Sequence, residues 1–202
     1  MSRLITTAVA VAILVLAGST SRADLLIYQT TLSGPAESPP NASPGTGFSE
    51  VDYVTTSHDL RVRIVFSGLV GTTTASHIHA PTAAPGAGTA GVATMLPTFT
   101  GFPLGVTAGS YDQIFNLLDP SFYNPAFLTA NGGTAAGAEA ALLAALNSGK
   151  AYVNIHTSTF PTGEIRGFYQ PLTAVPEPGT LALAGVGLAA AAAYARLRRP
   201  RA

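Results

Sequence analysis

Apolar and polar residues alternate along much of the chain, and this pattern predicts β-strands. In residues 60–69, LRVRIVFSGL, every second position from 60 to 66 is apolar, and Arg61 and Arg63 fall between them. Because successive side chains of a strand point to opposite faces, one face is expected to meet a core and the other solvent. Similar reasoning predicts one strand in each of five further stretches, 24–34, 48–56, 72–81, 150–158 and 163–172, and one or two short strands in 91–106.

One stretch, residues 110–149, departs from this pattern and is predicted to be a short helical insertion, with an Ala-rich helix from about Thr134 to Leu146. Three aromatic residues are expected to pack the insertion onto the strands: Phe115, Tyr123 and Phe127. Seven or eight short strands with Gly- and Pro-rich turns predict an all-β fold, an antiparallel Greek-key β-sandwich.

The N-terminal residues 1–23 have the features of a secretory signal peptide. Arg3 precedes an uncharged apolar stretch at 4–18, and Ser-Arg-Ala ends the segment. The sequence therefore predicts a signal helix, cleavage after Ala23, and export. The remainder up to residue 174 is long enough to form one domain with its own core.

The C-terminal residues 175–202 form a second distinct segment. Val-Pro-Glu-Pro is followed by an apolar, Ala-rich stretch, and 18 uncharged residues separate Glu177 from Arg196. This length is at the short end for a membrane-spanning helix. The terminal arginines favour a cytoplasmic tail with the domain outside, so a short apolar helix crossing the inner membrane transiently is predicted.

Charge and cysteine content exclude several functions. Residues 24–174 contain nine acidic and four basic residues, a net charge of −5, which argues against nucleic-acid binding. The chain has no cysteine, so thiol catalysis and Cys-based metal sites are excluded. No G-x-S-x-G or H-E-x-x-H motif occurs, and this favours a protein without catalytic activity.

Histidines occur in two predicted strands, within SHIHA at 76–80 and VNIHT at 153–157. His77 and His79 share one strand face, and His156 lies on the polar face of the other strand. If the two strands are neighbours, the three imidazoles converge in an arrangement that suits copper or zinc. The alternative is a half-exposed strand face on which histidines only form hydrogen bonds. His58, in a predicted turn, is expected to be solvated.

Glu164 and Arg166 share one face of the strand that follows the His156 strand. The favoured interpretation is a surface ion pair that contributes little to stability. The alternative places Arg166 beside the histidines as an anion-binding charge, and gives Glu164 the role of orienting a histidine.

Three motifs occur in a fixed order: TLSGPAESPP at 31–40, FSGLVGTTTASHIHAP at 66–81 and GKAYVNIHTSTFPTGEIRG at 149–167. Together they resemble the CHRD domain, which is named from chordin and also occurs in exported microbial proteins. The resemblance covers about residues 27–170. It implies an immunoglobulin-like or related β-sandwich, and chordin's own repeats belong to an extracellular protein that binds a growth factor.

The C-terminal segment resembles the PEP-CTERM sorting signal of Gram-negative bacteria, with Pro176, Glu177 and Pro178 as its motif. The resemblance implies recognition by an exosortase and cleavage near this motif. It further implies release or attachment at the cell surface, often alongside exopolysaccharide.

A fainter likeness links SGLVGTTTASHIHA and VNIH to copper/zinc superoxide dismutases. It implies a superoxide-dismutase-like sandwich with His77, His79 and His156 as copper ligands and Arg166 as a substrate-guiding residue. The chain lacks the zinc loop, the bridging histidine and the disulfide of that family, so a complete dismutase is not expected.

Three interpretations follow. The first is an exported surface or matrix module that binds exopolysaccharide or an extracellular protein. The second is a three-histidine copper-binding β-sandwich with redox activity. The third is a purely structural matrix protein.

Overall fold

A computed structural model of the chain describes residues 25–172 together with Gly185, Gly187, Leu188 and Ala191. The predicted signal helix, its cleavage site and the Pro-Glu-Pro motif lie outside the described residues, as does the predicted C-terminal apolar helix apart from those four residues. The strands are β1 Leu25–Ser33, β2 Thr46–Val54, β3 Asp59–Ser67, β4 Thr73–His79, β5 Gly109–Asn116, β6 Tyr152–Thr157, β7 Ile165–Phe168 and β8 Gln170–Pro171. The helices are α1 Pro125–Ala130 and α2 Ala135–Asn147.

The strands form one antiparallel sheet in the order β4-β6-β7-β1-β2-β3-β5, with β8 paired to β1. The sheet curls into a half-barrel. Its two edge strands are β4 and β5, and the start of β4 contacts the residues that precede β5. There the Thr73 amide donates to Val106 O over 2.8 Å, and the Leu69 amide donates to Thr107 O over 3.1 Å. The predicted all-β antiparallel fold with few short helices is confirmed, and the curled sheet is consistent with a sandwich.

The β2–β3 hairpin shows how alternation produces this core. Val51 opposes Val62 and Tyr53 opposes Leu60 on the inner face, where all four side chains are buried. On the outer face Arg63 pairs with Glu50 and Asp52. Apolar side chains are therefore buried on one face, and on the other face the acidic residues of β2 lie opposite the basic residues of β3.

Two boundaries differ from the prediction. Residues 110–116, assigned to the helical insertion, belong to β5, which pairs with β3 and places Tyr111 opposite Ile64. This strand carries Gln113 at a position where alternation would place an apolar residue, so its pattern is weak. Residues 91–106 contain only isolated bridges at Val92 and Thr94 in place of the predicted strands.

Helix α2 begins and ends within one residue of the prediction, and Thr134 caps it by accepting a hydrogen bond from the Gly137 amide over 3.1 Å. The predicted aromatic cluster is also present: Phe115 and Tyr123 both contact Phe122, and Tyr123 stacks on Phe127. Within residues 25–172, neither helix has the length and hydrophobicity needed to cross a membrane.

Candidate metal centre

The pairing of β4 with β6 brings the histidines of both motifs onto one face of the sheet. His77 lies opposite Asn154, and His156 lies opposite Ala75. The other face of the same strands carries Ile78, Val153 and Ile155, all fully buried in the core. The convergence that depended on strand adjacency is therefore present in the structure.

Each of the three histidines forms a hydrogen bond between one of its ring nitrogens and a backbone carbonyl in a covering loop. His77 Nε2 donates to Pro97 O over 2.6 Å. His79 Nδ1 donates to Ala90 O and His156 Nδ1 donates to Pro161 O, each over 2.9 Å. Because a carbonyl can only accept, each bonded nitrogen carries the proton, and the other ring nitrogen presents a lone pair.

The three remaining nitrogens face one another. His77 Nδ1, His79 Nε2 and His156 Nε2 are buried and have no hydrogen-bond partner, and the ligand atoms of the three histidines lie within 4.8 Å of one another. Metal–nitrogen bonds of about 2.0–2.1 Å would place the nitrogens roughly 3.3–3.6 Å apart, so the three nitrogens would move closer together when a metal binds. Orientation of each imidazole through its second nitrogen is the arrangement typical of metal ligands in proteins.

Burial keeps these imidazoles neutral. It lowers the pKa of His77 to about 4, assisted by the proximity of His156 and His79 and opposed by the hydrogen bond to Pro97. Burial also lowers the pKa of His79 and of His156. Since a metal ligand must be unprotonated, the three groups are in the binding form at neutral pH.

Arg166 lies beside this cluster, and it is not part of a surface ion pair. It opposes Asn154, the residue that opposes His77, and the residue is only 5% exposed. Its guanidinium carbon lies 4.9 Å from the ring centroid of Tyr152. Arg166 Nε donates to the Ala36 carbonyl and Nη1 to the Gly88 carbonyl, so the residue fixes two covering loops.

Glu164 is also fully buried and contacts no histidine. It accepts hydrogen bonds from Ser43 Oγ over 2.6 Å, Thr157 Oγ1 over 2.7 Å, and the backbone amides of Val70 and Gly71. Burial raises the pKa of Glu164, but these bonds outweigh it and hold the pKa below its ordinary value. The histidines are therefore oriented by backbone carbonyls and not by Glu164. The role of Glu164 is to join three segments of the domain.

Two neighbours of the site were given no role by sequence reasoning, although alternation already placed Tyr152 on the same strand face as His156. The Tyr152 ring stacks on His79 with centroids 4.7 Å apart, and Glu37 Oε2 lies 3.8 Å from Arg166 Nε. Alternation along β6 places Tyr152 on the same face as His156, and this pattern indicates that Tyr152 lies near the cluster. Glu37 reaches the site only through the folding of its loop, for which the local sequence offers no indication.

His58, the fourth histidine, lies in the β2–β3 turn away from this cluster. Its Nδ1 contacts Glu139 of α2 at 2.9 Å, and the same carboxylate accepts from Tyr53. The expectation of a merely solvated side chain is therefore incomplete, because His58 tethers the helix to the hairpin.

Fold and site together define a class of protein: a curled all-β domain that buries a cluster of imidazoles between its sheet and the covering loops. The chain belongs to the CHRD domain family, whose model matches residues 28–169. A PEP-CTERM protein-sorting motif matches residues 174–199, and it implies export, sorting to the bacterial cell surface and processing by an exosortase-type enzyme. No curated protein and no solved structure matches the chain.

Proposed function

We propose that this domain is a surface-displayed module that binds one transition-metal ion, copper or zinc, through His77 Nδ1, His79 Nε2 and His156 Nε2. The observation that supports it is the set of three buried ring nitrogens that face one another without a hydrogen-bond donor. Leaving buried acceptors unpaired costs free energy, and a bound cation would satisfy all three at once.

Three protein ligands leave one coordination position for water or an exogenous group, as in sites that act on or sense a ligand. This open position is what connects the proposal to redox or binding activity. The metal would supply Lewis acidity or electron exchange when bound. The covering loops restrict access of water and hold each imidazole in one tautomer.

The setting we propose is the surface of a Gram-negative bacterium. Cleavage near Pro176–Pro178 would follow transient passage through the inner membrane, and the domain would then be attached or released among exopolysaccharide and extracellular proteins. A matrix-binding role without metal is the second candidate, supported by the sorting motif itself. It does not account for the three unpaired nitrogens.

Metal analysis tests the proposal. The full chain, purified in mild detergent, is loaded with Zn(II) or copper beside the double variant His77→Ala/His79→Ala and the control His58→Ala, which lies outside the cluster. We expect one equivalent of metal in the wild type and the control, and none in the double variant. A wild type that folds normally, by circular dichroism, and retains no metal would contradict the proposal.

A further inference from the structure

The donor set of the proposed site is uncharged. The cluster contains three histidines and no carboxylate within the described residues, and the chain has no cysteine to supply a thiolate. An ion bound there would keep its full charge, because no ligand from the described residues neutralises it. The charge of the ion therefore decides how much its transfer from water costs.

The charged groups around the site add to this effect. The Arg166 guanidinium carbon lies 4.9 Å from the centroid of the Tyr152 ring, and the same ring stacks on His79, so this positive charge is close to the three histidines. Its nearest carboxylate is Glu37, which is 6% exposed. Burial raises the pKa of Glu37 to about 7, although Arg166 opposes the shift, so this negative charge is incomplete at neutral pH.

The cost of burying the ion and its repulsion from Arg166 depend differently on the charge of the ion. The solvation penalty of burying an ion rises with the square of its charge, and repulsion from Arg166 rises in proportion to it. Both terms disfavour a dication relative to a monocation. Imidazole nitrogens accept both copper and zinc, so the ligand type by itself does not choose between these metals.

We infer that the site selects a monovalent ion and holds copper as Cu(I) in preference to Cu(II) or Zn(II); this rests on the proposed function. The selectivity originates in the neutral three-imidazole donor set and the neighbouring Arg166. Substitution of Asn154 should alter this selectivity. Asn154 lies between His77 and Arg166 across the sheet, and its Oδ1 is buried without a hydrogen-bond partner.

Competition between metals tests this inference. The full chain receives equal amounts of Zn(II) and copper kept cuprous with ascorbate, and a chromogenic Cu(I) chelator and a zinc chelator give both affinities. We expect Cu(I) to occupy the site and Zn(II) to fail to displace it. Occupancy by Zn(II) instead would overturn the inference and leave the proposed function intact. Binding of neither metal would reject both.

The variant Asn154→Asp provides the charge test. A carboxylate at this position attracts a dication about twice as strongly as a monocation, so the ratio of Cu(I) to Zn(II) affinity should fall at least about tenfold. Arg166→Gln, which retains donors for the loop carbonyls, should shift the ratio in the same direction. Equal changes in both affinities in both variants would show that charge does not set the selectivity, and would overturn the inference.

Discussion

Single buried charges define much of the chemistry of this domain, and Glu164 is the clearest structural case. Its carboxylate satisfies two hydroxyls and two backbone amides from otherwise separate segments. Glu164→Ala should lower the free energy of unfolding by about 3–5 kcal/mol, because it leaves several buried donors unpaired. Urea denaturation measures this loss.

Asp112→Asn is the matched control, since it removes a carboxylate whose ion pair with Arg61 is exposed. It should leave the midpoint of unfolding nearly unchanged. Similar losses in both variants would show that the burial of Glu164 does not determine its contribution. Because the folded pKa of Glu164 is depressed, its contribution is present above its unfolded pKa and disappears as pH falls through the folded value.

Glu37 should produce the opposite dependence on pH. Its pKa is raised from 4.5 to about 7, so the folded protein binds more protons than the unfolded protein between these values. Its contribution to stability therefore declines as pH rises through this interval. Glu37→Gln should become more stable relative to wild type from pH 4.5 to 7, by at most about 3 kcal/mol.

Unfolding at a series of pH values, taken as the difference between wild type and Glu37→Gln, isolates this contribution from the histidines that both proteins share. A difference that does not change with pH would contradict the raised pKa.

At the scale of elements, alternation and composition allowed correct predictions, whereas what neighbouring elements supply was missed. Helix α2 was predicted because its Ala-rich composition is a local property. Strand β5 was missed because Gln113 interrupts its inward face, and pairing with β3 supplies the stability that its own pattern lacks. The faces of β4 and β6 were correct, whereas their adjacency is a property of the topology.

The contact between α2 and the β2–β3 hairpin gives a prediction at this scale. Glu139 is 6% exposed and accepts from Tyr53 Oη over 2.5 Å and contacts His58. Glu139→Ala should cost about 1–3 kcal/mol, because it removes the carboxylate that accepts from the buried Tyr53 hydroxyl beneath the helix. The amides of α2 should lose protection in hydrogen exchange more than those of β6.

Thr129→Ala is a suitable control, because Thr129 lies in α1 and its hydroxyl bonds only within its own helix. Loss of protection spread evenly over the whole sheet in Glu139→Ala would contradict a local tether.

For the whole molecule, the histidine cluster joins parts of the chain that are distant in sequence. Its rings come from β4 and β6, and their partner carbonyls belong to Ala90, Pro97 and Pro161. None of these carbonyls was predicted, since a backbone oxygen has no sequence signature. A metal bound to all three rings would tie both strands and the covering loops together.

Metal binding should therefore stabilise the entire domain. At a free concentration about 1,000 times the dissociation constant, one site adds about 4 kcal/mol to the free energy of unfolding. For a domain of this size that raises Tm by roughly 8–16 °C. Calorimetry of the loaded protein with and without a chelator measures the shift, which should persist in His58→Ala and vanish in His77→Ala/His79→Ala. A chelator-insensitive Tm in a protein that holds one equivalent of metal would place the ion outside the cluster, because an ion ligated by both strands of the β4–β6 pair cannot leave unfolding unaffected.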